Sequence, residues 1–474
     1  MQASSNGASW ESRLEGILQI NGDNVTVTDE AGLRGQMDQL VRDAVFGEGL
    51  DREMARWLIW EAGQALGIYA SSIHDLYLAI GRGDVPSNFT VPAMNLRGMT
   101  YNTARAAFRA ATRLNASALI FEIARSEIGY TDQRPAEYVS SVIAAAIREG
   151  FRGPLFIQGD HFQVSLKAYG SGPDKELQAV KDLMREAIDA GFYNIDIDTS
   201  TLVDLDKGPL DEQQRSNYEI CAQLTEYVRE IEPQGVTVSL GGEIGEVGGH
   251  NSTVEELHAF MQGYRRTLAN YHPNIQGISK ISVQTGTSHG GVVLPDGTLA
   301  EVQVDFETLG ELGRIAREQY GLGGAVQHGA STLPPTAFNR FPEVGTVEIH
   351  LATGFQSIMF QHAPQEIVNA TDEYCRANFA KERKEGQTEE QFLYGTRKKS
   401  LGPLKQQWWD LDEATQTQIG SALEEQFAFL FDKLNVKETR DYVARTVTAL
   451  PVHRPRPQSA VQEQELEIAS DLAD

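Results

Sequence analysis

The feature that most restricts how this chain can fold is an alternation. Between residue 89 and about residue 360, short apolar runs take turns with longer stretches of helical periodicity. The runs are 89–94 (FTVPAM), 118–124 (ALIFEIA), 154–160 (PLFIQGD), 194–198 (NIDID), 236–243 (VTVSLGGE), 278–286 (ISKISVQTG), 324–328 (GAVQH) and 346–352 (TVEIHLA). The stretches between them, such as 101–114, 136–149, 174–190, 216–230 and 254–268, place apolar residues three and four apart, the spacing of one helix face. A strand that returns to its neighbour through a helix must run parallel to it. About eight such units predict an α/β fold, a closed (β/α)8 TIM barrel, with a doubly wound open sheet as the alternative.

The flanks read differently. Residues 1–88 read as a helical extension, with helical periodicity over 33–46 and 51–80, and the turn-rich 81–87 (GRGDVPS) sets the barrel's start at 89. Residues 366–443 read as helical and carry a basic patch at Arg397, Lys398, Lys399 and Lys405, so that 89–450 forms the barrel with C-terminal helices. Residues 451–474, Pro-rich and then acidic, are expected to be a mobile tail. A net charge of −25 over 474 residues argues against a nucleic-acid or membrane-surface partner and requires any anionic substrate to find a local basic pocket. There is no apolar run of membrane-spanning length, and residues 1–10 lack the apolar core of a signal peptide. Cys221 and Cys375 have no CxxC spacing, so neither a disulfide framework nor a thiolate metal site is expected. The cytoplasm is the expected compartment.

The polar residues fall at the ends of the runs. Asp160 and His161 close the third, Asp196 and Asp198 the fourth, and Glu243 the fifth, while His289 follows the sixth and His328 closes the seventh. In a (β/α)8 barrel these ends meet at one mouth. A single histidine there would be an ordinary buried side chain. Three imidazoles and a carboxylate together suit zinc or a related divalent ion and leave a coordination position for substrate. Glycine and small residues around His289 (GTSHGG) and His328 (QHGAS) let backbone N–H groups approach an anion, and Thr353 follows the eighth run.

Taken in order, Val91-Pro92-Ala93-Met94-Asn95, Gly159-Asp160-His161, Ala190-Gly191-Phe192 with Asp198 and Ser200, Gly242-Glu243-Ile244-Gly245 with Gly248-Gly249, Gly286-Thr287-Ser288-His289-Gly290 and His328-Gly329-Ala330-Ser331 resemble the class II fructose-bisphosphate aldolases and their tagatose-bisphosphate relatives over 89–355. The resemblance implies a zinc site on His161, His289 and His328, with Glu243 as an additional or alternative ligand and a second mono- or divalent cation nearby. It implies that Asp160 is the catalytic aspartate and that Asn95 positions substrate. Gly290, Gly329, Ser331 and Thr353 would cradle a ketose phosphate, with Asp198 in an inner acidic layer and Lys398 near a far phosphate. The implied reaction cleaves or forms a C–C bond in a phosphorylated ketose through an enediolate, with the metal as Lewis acid and no lysine Schiff base. Family members are dimers or larger, so a homodimer or homotetramer is expected.

The resemblance breaks in the substrate pocket. Where the family has a loop glutamate that moves the proton, this chain has His250-Asn251-Ser252-Thr253. His250 is the candidate for that role, with Glu255 and Glu256 behind it, although Thr253 and Glu256 also read as a capping box that merely starts a helix. After the eighth run, His350-Leu351-Ala352-Thr353-Gly354 replaces the family's Asn-x-Asp-Thr-Asp. His350 is expected to hydrogen-bond in the asparagine's place or to become an extra ligand. Glu122-Ile123-Ala124-Arg125 stands where the family has a serine, and Arg125 would bring positive charge. These changes point to an altered substrate or proton route. Two other readings stay open. One is a non-catalytic barrel subunit of a tagatose-bisphosphate aldolase-type complex, which the stretch 121–131 resembles but the histidine set disfavours. The other is a metal-dependent sugar-phosphate epimerase.

Overall fold

The computed structural model describes residues 10–245, 250–286, 294 and 303–458. Eleven strands occur among them: β1 (Leu18–Asn21), β2 (Asn24–Val27), β3 (Ile68–Ser71), β4 (Val91–Asn95), β5 (Ile120–Ala124), β6 (Gly153–Gln163), β7 (Asn194–Asp198), β8 (Ser239–Glu243), β9 (Lys280–Val283), β10 (Ala325–Gln327) and β11 (Glu348–Leu351). Strands β4 to β11 pair in parallel in sequence order, and β11 pairs back onto β4, so the sheet closes. The fold is a (β/α)8 barrel with helical extensions at both ends of the chain. Every residue of β4, β5 and β7 is buried. Such strands are covered by helices outside and by layered side chains inside. Apolar residues therefore continue along both faces, and it is the inward-facing charges that stand out.

Residues 1–88 were expected to be helical. The helices Glu30–Phe46, Gly49–Ala65 and His74–Arg82 are present, but β1 and β2 form an antiparallel hairpin between Trp10–Leu14 and the first of them. Strand β3 adds to the barrel sheet, pairing in parallel with Gly153–Phe156 at the N-terminal end of β6. Strands of four residues are too short to show a period against the helical background. The helix Glu30–Phe46 turns Leu33, Met37, Leu40 and Val41 inward and packs against the barrel helix Pro135–Glu149.

At the other end, the helix Glu413–Lys433 packs along Thr100–Arg113. Beyond it, residues 452–456 lie across the helix Gly49–Ala65. The Trp60 indole donates to the Val452 carbonyl at 2.7 Å, Trp57 donates to the Arg454 carbonyl at 2.9 Å, and Glu61 holds His453 at 2.6 Å. The rest of the expected tail, 459–474, lies outside the described residues. Among the described residues no helix is long and apolar enough to cross a membrane.

Candidate active site and metal centre

The long strand β6 delivers two functional side chains because its regularity breaks. Its register against β7 shifts between Gly159 and Phe162, and His161 sits in the left-handed region at φ 40°, which costs energy for any residue but glycine. The bulge folds the Phe162 ring over Gly159, where a Cβ would collide with it. It also turns Asp160 and His161 toward the mouth. Behind His161, its Nδ1 lies 3.0 Å from Asp198 Oδ2 and 3.4 Å from Glu243 Oε2. Asp198 also accepts from Gln163 at 2.6 Å and from the Ser200 hydroxyl at 2.6 Å. An acceptor with this many donors stays ionised, so Nδ1 donates to it; a metal ion in place of the proton on Nε2 would complete the arrangement of a metal-bound histidine backed by a carboxylate.

The His328 ring lies 4.3 Å from that of His161, centroid to centroid, and its Nε2 is 2.9 Å from Ser282 Oγ. Asp160, His161 and His328 each offer a ligand atom, all within 4.8 Å of one another. Two imidazoles and a carboxylate oxygen fit a divalent metal. The charges support that fit. Burial works against a charged His161, but Asp160, Glu243 and the bond to Asp198 outweigh it and hold the ring well above its ordinary range. Burial, followed by Asp198, pushes Glu243 up to about 7. The site thus favours added positive charge. His289 and Gly290 lie outside the described residues.

Under the mouth lies a second charged layer that the sequence reading did not assemble. Lys280 on β9 is 1% exposed. Its ammonium pairs with Asp196 at 2.8 Å, with Glu348, and with Gln158 Oε1 at 2.8 Å. Burial opposes the ammonium, but Asp196 and Glu348 more than compensate and keep it charged. Glu348 also takes the Tyr77 hydroxyl. His350 bridges this layer to the mouth: its Nε2 is 2.8 Å from Glu348 Oε1, and its Nδ1 is 3.1 Å from Asp160 Oδ1 and 3.2 Å from Glu122 Oε1. A lysine and a glutamate inside otherwise apolar strand runs were the signal that sequence reading could have used, since neither is buried without a partner.

A cavity of about 580 Å³ opens over these residues, bounded by Asn95, Arg97, Glu122, Arg125, Glu127, Asp160, His161, His328, Gly329, Ser331, His350, Thr353 and Lys398 among others. Asn95 donates to Glu127, which also holds Arg97 at 2.7 Å. The Ser331 hydroxyl accepts from the Ala352 N–H at 2.6 Å, tying the loop after β10 to the start of the helix Thr353–His362. The expected basic patch is dispersed. Arg397 is committed to Asp372 at 2.7 Å, Lys399 to Glu382, and Lys405 to Glu137 at 2.8 Å, so only Lys398 of the four lines the cavity. Consecutive residues in a short helix point in different directions. Arg97, which sequence reading passed over, and Arg125, paired with Glu176 at 2.6 Å, supply the other cations. His250 is exposed, its Nδ1 is 2.9 Å from the Asn251 carbonyl, and it does not line the cavity. Thr253 and Glu256 form the capping box of the helix Val254–Tyr271.

A family model described as fructose-bisphosphate aldolase class-II matches residues 86–399, more than half of the chain. The chain belongs to this class II aldolase family. Among solved structures it is similar to a protein described as a probable tagatose 6 phosphate kinase from Sinorhizobium meliloti 1021, with 16% identity, a TM-score of 0.53, and coverage of 74% of this chain and 100% of that one. It is also similar to the YdjI aldolase from Escherichia coli K12, at 12% identity and TM-score 0.45 over 76% of this chain and 97% of that one. Fructose-bisphosphate aldolase from Campylobacter jejuni matches at 15% identity and TM-score 0.47, over 78% and 96% of the two chains. No curated protein matches. At 16% identity the likeness to the Sinorhizobium meliloti protein speaks for the barrel alone. Membership in the class II aldolase family comes from the family model.

Proposed function

We propose that this class II aldolase is a zinc-dependent lyase that cleaves or forms a C–C bond in a phosphorylated ketose. One observation carries the reading: donor atoms of Asp160, His161 and His328 converge within 4.8 Å at the floor of a cavity that also holds the loops after β10 and β11. His161 and His328, with His289, would hold the ion. When bound, it supplies Lewis-acid polarisation of the ketose carbonyl and neighbouring hydroxyl.

The chain's own residues do the rest. Asp160, at the edge of the cavity, takes and returns the proton of the hydroxyl whose oxygen becomes the aldehyde on cleavage. Gly329 (φ 68°), Ser331 and Thr353 offer backbone N–H groups and hydroxyls to one phosphate, helped by the N-terminus of the helix Thr353–His362. Lys398 sits across the cavity, where burial and Arg97 lower its pKa. A second anionic group on the substrate would relieve that cost. His350 in the floor, where the family resemblance implies an asparagine, supports a ketose other than the usual fructose bisphosphate.

The test is a cleavage assay on a panel of fructose, tagatose and related ketose phosphates, with and without chelator. Turnover that disappears on chelation and returns with zinc is the expected result, together with loss of activity in His161→Ala. Turnover that survives both treatments would overturn the metal mechanism.

A further inference from the structure

A second cavity, of about 360 Å³, opens at the end of the barrel away from the mouth. Ile278, just ahead of β9, and Leu322, just ahead of β10, form its inner wall. The C-terminal half of the helix Val254–Tyr271 and the start of the helix His74–Arg82 close its sides. The floor is apolar: Met261, Tyr264, Leu268, Ile278 and Leu322 are each no more than 5% exposed. What little of them remains open faces the cavity, and an apolar ligand body placed there removes that surface from water.

Most polar groups on the wall are already committed. The Tyr264 hydroxyl accepts from the Ile278 N–H at 3.1 Å and bonds to Thr225 at 3.0 Å, and the Tyr320 hydroxyl lies 2.6 Å from His258 Nδ1. Arg229 donates to the carbonyls of Gln276 and Gly277 at 2.8 and 3.3 Å. His74 is the exception. It is 4% exposed, and its Nδ1 has no hydrogen-bond partner. Burial, and then Arg229, push its pKa down to about 3, so the ring is uncharged at neutral pH. In either tautomer Nδ1 is a buried donor or acceptor left unpaired, which is costly. The charges point the same way. The chain has 66 acidic against 41 basic residues, yet no aspartate or glutamate lines this cavity. Arg266 pairs with Asp211 at 2.9 Å, whereas Arg265 beside it, at the cavity rim, has no carboxylate partner among the described residues. Its guanidinium lies 4.9 Å from the Tyr320 ring centroid and donates to the Tyr320 carbonyl. A guanidinium held on an aromatic ring beside an apolar floor suits a carboxylate.

We propose that this cavity binds a small carboxylic acid with an aromatic or aliphatic body, apart from the reaction at the mouth. The body covers the apolar floor, the carboxylate takes the Arg265 guanidinium, and His74 serves as an uncharged hydrogen-bonding group on the wall. None of these residues lines the mouth cavity, so the site does not depend on the aldolase reading.

Phenylacetate and its neutral isostere phenylacetamide, titrated into the full-length protein by calorimetry and by ligand-detected NMR, test this. Phenylacetate is expected to bind saturably, and phenylacetamide about tenfold or more weaker, because the amide forgoes the charge-assisted bond. Arg265→Gln should weaken phenylacetate by a similar factor and bring the two ligands level. His74→Phe and Ala269→Trp fill the cavity and should abolish binding. Arg265 and Ala269 are both exposed, so their variants decide the matter should His74→Phe fail to fold. Phenylacetate binding that survives both Arg265→Gln and Ala269→Trp belongs to the cations at the mouth and overturns the proposal. Equal affinity of wild type for acid and amide overturns it too. So does the absence of saturable binding, whether the cavity stands open or a second copy of the chain covers it, which sedimentation velocity tells apart.

Discussion

At the residue scale, the molecule concentrates risk in a few buried charges. Lys280 is the clearest case, since its ammonium is the common partner of Asp196 and Glu348 in a layer without solvent. Replacing a buried pair wholesale can be neutral, but removing one partner strands the other. Lys280→Met keeps the stem volume and deletes the charge. It should lower unfolding stability by about 3–5 kcal/mol, read as a shift in the midpoint of urea unfolding. Lys280→Arg, which keeps the charge, should recover part of that loss. An unchanged midpoint in Lys280→Met would mean that the layer is neutralised by protons and that Lys280 contributes little.

At the level of the element, the β6 bulge is the part on which the site depends. Regular β6 would send Asp160 and His161 to opposite faces, as alternation along a strand requires. The shift between Gly159 and Phe162, with His161 at φ 40°, brings both to the mouth. Bulges of this kind re-aim side chains beside active sites. Gly159 permits it because the Phe162 ring occupies the space a Cβ would take. Gly159→Ala should therefore cost about 1–3 kcal/mol in stability through overpacking. It should also weaken metal binding about 10–100-fold, as loss of a ligand's support does. Calorimetric metal titration beside a thermal melt checks both numbers, and a stability loss with metal affinity intact would show that the bulge survives without glycine.

For the whole molecule, the N-terminal extension and residues 452–456 work at the end opposite the site. Strand β3 joins β6 at its N-terminal end, and a Cβ on Gly191, just ahead of β7, would meet the Trp60 ring, which places the helix Gly49–Ala65 below the barrel. Residues 452–456 clamp that helix through Trp57, Trp60, Glu61 and Gln64, with the Arg454 guanidinium 3.4 Å from the Trp60 ring centroid. Each hydrogen bond contributes about 0.5–1.5 kcal/mol net. A chain truncated after Leu450 should melt several degrees lower yet keep its kcat and KM, since no clamp residue lines the cavity. A truncated protein with unchanged Tm but impaired kcat would instead connect this end of the chain to the mouth.

The amino-acid sequence determined the barrel and which polar residues stand at its strand ends. Hydrophobic period is a local property, and eight β-then-α units leave few ways to bury their faces. Their strand ends named Asp160, His161 and His328 before any contact was known. The strands β1, β2 and β3 were not legible, because four residues within a stretch of helical periodicity show no period of their own and pairing creates them. The direction of each side chain within a helical turn was not legible either, so the run Arg397–Lys399 read as one patch although Lys398 alone lines the cavity. Only the tertiary structure brought Glu122, Lys280 and Glu348 around His350. Residues 122, 280, 348 and 350 stand on three different strands, and a charge within an apolar run acquires its partner only when the barrel closes.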